Sequence, residues 1–360
     1  MRQEMILDYP INKEHKFPYE WTLKDAIFTK DKGKVFSCFA CGGGSTMGYK
    51  LAGFDVLGCN EIDPKMMSCY IENHKPKYSF LEPIQTFKLR KDLPKELYKL
   101  DILDGSPPCS SFSMAGNREK DWGKDKVFRE GQAMQVLDTL FFDFIDLAKE
   151  LQPKVVVAEN VKGLILGSAV KYVKAIYKAF DDAGYTCQLH LLNASHMGVP
   201  QRRERVFFVC LRKDLANGVK FPVIDLKFNE KRILFKEFAS YDGKPISEYA
   251  KRAWDVRQET DKSIADSKSR VPGMKVSDMN TSYVYDDKVV QTLTSKGDCG
   301  SLLYSKPIRL SKDEFCKIGT YPMDYNFTGS NFGYLIGMSV PPVMTAQIAS
   351  RIYEQWLSKL

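Results

Sequence analysis

Long apolar runs are missing from this chain. No stretch of its 360 residues approaches the roughly 18 to 20 apolar residues needed to cross a bilayer. The opening residues, Met1-Arg2-Gln3-Glu4, carry no apolar signal core, so a soluble protein that is not exported is expected. Histidine is scarce, and His15, His74, His190 and His196 are too scattered to suggest a ligand pair. The nine cysteines form no even framework, which favours reduced thiols over disulfides. Cys38 and Cys41 stand as Cys-x-x-Cys, but no second pair at zinc-ligand spacing follows, and no metal is expected. Internal repeats and low-complexity tracts are also lacking.

What is present is enough apolar sequence, 44%, for a sizeable core without covalent staples. The net charge of +8 is concentrated: Arg202 to Lys275 holds 18 Lys or Arg against 11 Asp or Glu. A polyanion partner explains such a segment, because neutralising phosphates gives sequence-independent affinity. A solvated charged face is the alternative.

Short apolar runs alternate with helical patterns through the first two hundred residues: Val35 to Phe39, Val56 to Cys59, Ile102 to Leu103, Val155 to Ala158, Thr186 to Leu192 and Val206 to Leu211. That alternation predicts an α/β, doubly wound sheet. Met134, Leu137, Phe141, Phe144, Ile145 and Ala148 recur at the helical period, as do Val173, Ile176, Tyr177 and Phe180, with Ser168 near an N-cap and Gly184 as a stop. Beyond about residue 212 the alternation lapses into polar sequence with scattered aromatics. Helical periodicity returns after Pro341-Pro342, so the last helix is expected to rejoin the first domain around an inserted smaller one.

Four motifs carry chemistry. Phe39-Ala40-Cys41-Gly42-Gly43-Gly44 follows a strand, and Glu61 lies 20 positions beyond Cys41 at the end of the next. Glycines admit a ligand close to the backbone, and a carboxylate at that offset suits a ribose hydroxyl pair, in a dinucleotide or in S-adenosylmethionine. Pro107-Pro108-Cys109 presents a thiol on a stiff, polar loop at a strand end, as a nucleophile requires. Glu159 emerges from Val155-Val156-Val157-Ala158, and its carboxyl could hydrogen-bond a ring nitrogen, with Asn160 holding the loop. Arg203 and Arg205 alternate along a strand start, which predicts one shared face for binding a base carbonyl, a phosphate or Glu159. A thiol, a carboxylate and arginines at strand ends point to nucleophilic addition to an electron-poor ring.

The ordered blocks FACGGG, NEID, SPPCSSFS, ENV, QRRER, TLTSKG (292–297) and GMSVPP (337–342) resemble the DNA (cytosine-5) methyltransferase family, bacterial or phage type, over most of the chain. The resemblance implies a Rossmann-like S-adenosylmethionine-dependent fold with a small target-recognition domain. Bounds of 1–212 for the catalytic and cofactor-binding part, 213–327 for target recognition and 328–360 for the completing segment are expected. It implies that Cys109 attacks carbon 6 of a flipped cytosine, that Glu159 contacts nitrogen 3, and that Arg203 and Arg205 assist while methyl passes to carbon 5. It also implies S-adenosyl-L-methionine as cofactor, touching Phe39, Gly42, Gly44, Glu61, Ile62, Pro108, Leu140 and Ser339.

The partners implied are double-stranded DNA and no membrane, with a cognate restriction endonuclease acting separately as an allowed companion. A cytoplasmic monomer in a bacterial or phage-infected cell is expected. Departures from the family pattern fall near the cofactor: Ser37 where an acid is common, Cys41 for the first glycine, Pro83 near an adenine contact, Ser110 for Gln, and Met338 for Asn. The rival readings are methyl transfer to tRNA and a non-catalytic DNA-binding protein that keeps the fold.

Overall fold

The computed structural model describes residues 15–108, 125–126, 135–136, 139–276, 281–295 and 300–360. Contacts divide the chain into two compact units. The first consists of Phe28–Asn193, Glu204–Lys227 and Thr345–Leu360. The second consists of the described part of Met1–Ile27 together with Ala194–Arg203 and Phe228–Met344.

The first unit is built on seven strands: β1 (Lys34–Cys38), β2 (Asp55–Glu61), β3 (Tyr78–Leu81), β4 (Ile102–Gly105), β5 (Val155–Val161), β6 (Tyr185–Asn193) and β7 (Glu204–Arg212). They lie in the order β3-β2-β1-β4-β5-β7-β6, with β7 antiparallel to both neighbours and the pairs from β3 through β5 parallel. Val155, Val156, Val157 and Ala158 are all buried, as a central strand covered on both faces requires. β3 was not visible as an apolar run. It is an edge strand whose residues alternate between partly buried and exposed. β1 stops at Cys38, one residue before the expected end, because Phe39 turns to φ +53.

Helices cover both faces. α1 (Gly44–Leu51) follows the glycine turn, and α2 (Pro64–His74) starts with Pro64 at its first turn and Asp63 as N-cap, accepting from the Lys65 and Met66 amides. α3 (Leu140–Leu151) buries Leu140, Phe141, Phe144, Ile145, Leu147, Ala148 and Leu151. Met134 and Leu137, expected in the same helix, lie outside the described residues. α4 (Val170–Asp182) ends before Gly184, which takes φ +94, while the Ser168 side chain expected at its cap is outside the described set. α3 and α4 share one core with β1, β4, β5 and β7, centred on Phe141, Phe144, Ile176, Phe180 and Phe208. Among the described residues no helix is long and apolar enough to cross a membrane.

Sequence neighbours part company between β1 and β4, since β2 lies on one side of β1 and β4 on the other. Such a switch point opens a crevice at the carboxyl ends of its strands. The glycine turn leaves β1 there, and Pro107-Pro108 leaves β4 there.

In the second unit, Ile246, Ala253, Ile264, Met274, Tyr283 and Leu302 form a separate core. Residues 15–27 belong with this unit, where the Trp21 indole donates to the Thr320 carbonyl across 2.9 Å. Arg257 lies between the rings of Trp254 and Tyr304, at 3.3 and 4.8 Å from their centroids.

Candidate active site

The glycine turn is held by Glu61 and His74. Phe39, Cys41 and Gly43 all take positive φ, and Gly43 caps α1 without any side-chain hydrogen bond. No side chain therefore caps the first α1 amides. The Glu61 carboxylate accepts from the Cys41 amide at 2.7 Å, the Ile62 amide at 2.8 Å and the Asp63 amide at 2.9 Å. Burial raises the Glu61 pKa, and these three amides oppose that shift. A carboxylate has about four acceptor directions, and described residues take three of them.

His74, at the end of α2, meets the Gly42 carbonyl through Nε2 at 3.2 Å. Burial pushes this imidazole down to about 3, so it is neutral here, and its Nε2 serves as the donor to the carbonyl. A side chain at Gly43 would collide with that ring.

Among the expected cofactor contacts, Phe39 sits edge-on to Phe144 with centroids 6.4 Å apart, Gly42 and Gly44 are buried in the turn, and Ile62 is partly buried at the end of β2. Pro108 is partly buried, and Leu140 is fully buried at the start of α3. Ser339 belongs to the second unit, where its hydroxyl meets the Tyr321 hydroxyl at 2.6 Å and donates to the Leu335 carbonyl. Near the Pro83 departure, Glu82 is engaged by Arg90 at 2.8 Å and by the Thr86 hydroxyl at 3.0 Å.

Asn160 ties two motifs together. Its amide donates to the Pro107 carbonyl at 3.1 Å, while its oxygen accepts from the Val161 amide. Cys109 itself lies outside the described residues, as does Ser110.

Glu159 pairs with Arg205, Nε to Oε1, at 3.0 Å, with both side chains largely buried. The ladder explains the contact: Glu159 is opposite Phe207, so Arg205 is its diagonal neighbour on the same face. Burial lowers the Arg205 pKa and the Glu159 charge opposes it.

Arg203 departs from the alternation read in the sequence. It falls in the break between the short strand Gln201–Arg202 and β7, and so belongs to the second unit. There its guanidinium, 2% exposed, donates to the Leu293 and Gly337 carbonyls, each at 3.0 Å. Gln201 accepts from the Leu293 amide, and the Thr292 hydroxyl donates to the Arg202 carbonyl. Three blocks that are far apart in sequence, around residues 201, 293 and 337, are thus one hydrogen-bonded assembly. Their order along the chain gave no sign of that.

Asp104 lies inside β4 and is 4% exposed. Its partners, Ser37 and Tyr49, come from segments more than fifty residues away, which is why sequence spacing did not reveal it.

The chain is 38% identical over 191 residues to the Type II methyltransferase M.FnuDI of Fusobacterium nucleatum, covering 52% of this chain and 50% of the relative. It is 37% identical over 190 residues to the Type II methyltransferase M.NgoPII of Neisseria gonorrhoeae, covering 52% and 51%. The matched stretch thus spans about half the length of these relatives. Among solved structures, DNMT2 of Spodoptera frugiperda superposes with a TM-score of 0.62 at 17% identity, covering 89% of this chain and 99% of that one, which shows the shared fold. The family model described as C-5 cytosine-specific DNA methylase matches residues 33–354, and the chain belongs to that family.

Proposed function

We propose that this protein methylates carbon 5 of cytosine in double-stranded DNA, through a covalent adduct at Cys109. The observation that carries the reading is the hydrogen bond from Asn160 to the Pro107 carbonyl. It fastens the strand bearing Glu159 to the segment that leads into Cys109, at the carboxyl end of the sheet.

Carbon 5 of cytosine is a poor nucleophile within its aromatic ring. Addition of the Cys109 thiolate to carbon 6, with Glu159 hydrogen-bonded at nitrogen 3, converts the ring to an enamine in which carbon 5 is electron-rich. Arg205 fixes the Glu159 carboxyl in place. S-adenosylmethionine, when bound, supplies the electrophilic methyl group. Loss of the carbon 5 proton and elimination of the thiolate restore the ring. Because a stacked base cannot reach such a pocket, the cytosine must leave the duplex.

The residues of the glycine turn and Glu61 fit this cofactor. The positive-φ turn admits a ligand close to the backbone, and Glu61 is assigned to a ribose hydroxyl. Phe39, Gly42, Gly44, Ile62, Pro108, Leu140 and Ser339 are the other residues assigned to it. Arg203 is assigned a supporting part, holding the 201, 293 and 337 blocks together. The basic segment from Arg202 to Lys275 is assigned to phosphate binding, with a strong salt dependence expected.

Labelled S-adenosylmethionine should label cytosine-containing duplex DNA with the wild-type protein and not with Cys109→Ser. Parallel reactions with tRNA decide between nucleic acids. Labelling of tRNA alone would replace this reading with its closest rival, and cofactor binding without transfer to either would favour a non-catalytic binder.

A further inference from the structure

We propose that Asp104 is a positioning residue of the cofactor site, joining the glycine turn after β1 to the segment that leads from β4 into Cys109. This inference rests on the methyltransferase reading above.

β1 and β4 run parallel with Ser37 paired to Asp104 in register. The Ser37 hydroxyl donates to Oδ2 at 2.8 Å, and the Tyr49 hydroxyl, from α1, donates to Oδ1 at 3.1 Å. The Ser45 side chain, in the first turn of α1, adds a further hydrogen bond. One carboxyl is therefore gripped from both sides of the turn 39–43: from the strand that enters it and from the helix that leaves it. Its own backbone continues through Gly105 and Ser106 to Pro107, whose carbonyl Asn160 holds. Glu61 and His74 brace the turn from the β2 side, whereas Asp104 braces it from the β4 side.

A buried carboxyl is costly to keep unless its bonds matter. Burial pushes Asp104 up to about 7, the Ser37 and Tyr49 hydrogen bonds oppose that shift, and the Glu159 charge adds to it. The titratable groups facing it are Cys38 on β1, Tyr49 on α1, Tyr70 on α2 and Glu159 on β5. A serine and an acid on register-matched positions form a couple that should work in either order. The reciprocal exchange is therefore the sharpest probe of the role.

The experiment measures S-adenosylmethionine affinity by calorimetry for the wild type, Asp104→Ser, Ser37→Asp and the double exchange, with folding checked by circular dichroism. Asp104→Ser should weaken binding about tenfold or more, the scale of losing charge-assisted hydrogen bonds. The double exchange should recover part of that loss, because it restores the couple between positions 37 and 104 while the Tyr49 and Ser45 bonds to position 104 stay lost. Ser37→Asp alone should also bind worse, since two carboxyls would then crowd one buried site. If Asp104→Ser does not fold, Asp104→Asn and Ser37→Ala, which preserve shape, take its place and should each weaken binding. Unchanged affinity in a folded Asp104 variant, or a double exchange no better than the single, overturns the proposal. A wild-type chain that binds no S-adenosylmethionine sinks the underlying methyltransferase reading instead.

Discussion

Arg205 donates through Nε to Oε1 of Glu159 across 3.0 Å, from the diagonal position of the β5–β7 ladder. The pair holds the carboxyl by one charged bond, which fixes its orientation. Replacing Arg205 by Ala should lower methyl transfer by about 10² or more, the lower end of what a mispositioned acid–base group costs. In a Glu159→Gln background the same replacement should add little, because the carboxyl that Arg205 positions is already gone. Single-turnover rates for the four combinations check this; full additivity would separate the two residues.

Arg203 has a different task. Its two buried bonds to the Leu293 and Gly337 carbonyls leave both acceptors without that donor in an Arg203→Ala variant. A loss of about 3 kcal/mol or more is expected, as for other buried charged groups whose partners are stranded. Urea unfolding should show it in stability first. Arg203→Lys should restore only part, since one ammonium does not reproduce a planar fork.

Gly43 takes φ +84 against the His74 ring. Gly43→Ala should lose about 1 to 2 kcal/mol from its left-handed backbone alone, plus a steric cost. Pairing it with His74→Ala should return the steric part and leave the backbone part. Thermal melts of the single and double variants separate these contributions.

Two buried groups pull stability in opposite directions as pH falls. His74 titrates at about 3 when folded against about 6.5 in model peptides, so the unfolded chain takes up the proton first and stability drops below pH 6.5. Asp104, at about 7 when folded against about 3.9 in model peptides, takes up its proton first in the folded state, so stability rises as pH falls from 7 towards 4. Asp104→Asn should therefore make acid destabilisation between pH 7 and 5 steeper, and His74→Phe should make it shallower. Unfolding free energies across that range check both signs.

The strands at the centre of the sheet were legible because burial on both faces writes itself as unbroken apolar sequence, as in Val155 to Ala158. Tyr78–Leu81 was not, being four residues long at an edge where exposure alternates. The motifs of the site were legible as types: a glycine turn, an acid after β2 and an acid after β5. Their partners were not. Arg203 and Arg205 look like one strand face until the ladder breaks between them. The partners of Asp104, Ser37 and Tyr49, arrive from remote segments. Tertiary hydrogen bonds leave no period in sequence.

The covalent step at Cys109 is the centre of this account. Duplex DNA carrying 5-fluorocytosine at a target site, incubated with the protein and S-adenosylmethionine, blocks loss of the substituent at carbon 5 and so halts release of the thiol. A denaturation-resistant protein–DNA complex whose cross-linked peptide contains Cys109 is expected, and none with Cys109→Ser. Methylation of ordinary DNA without any such complex, or a cross-link at another residue, would contradict it.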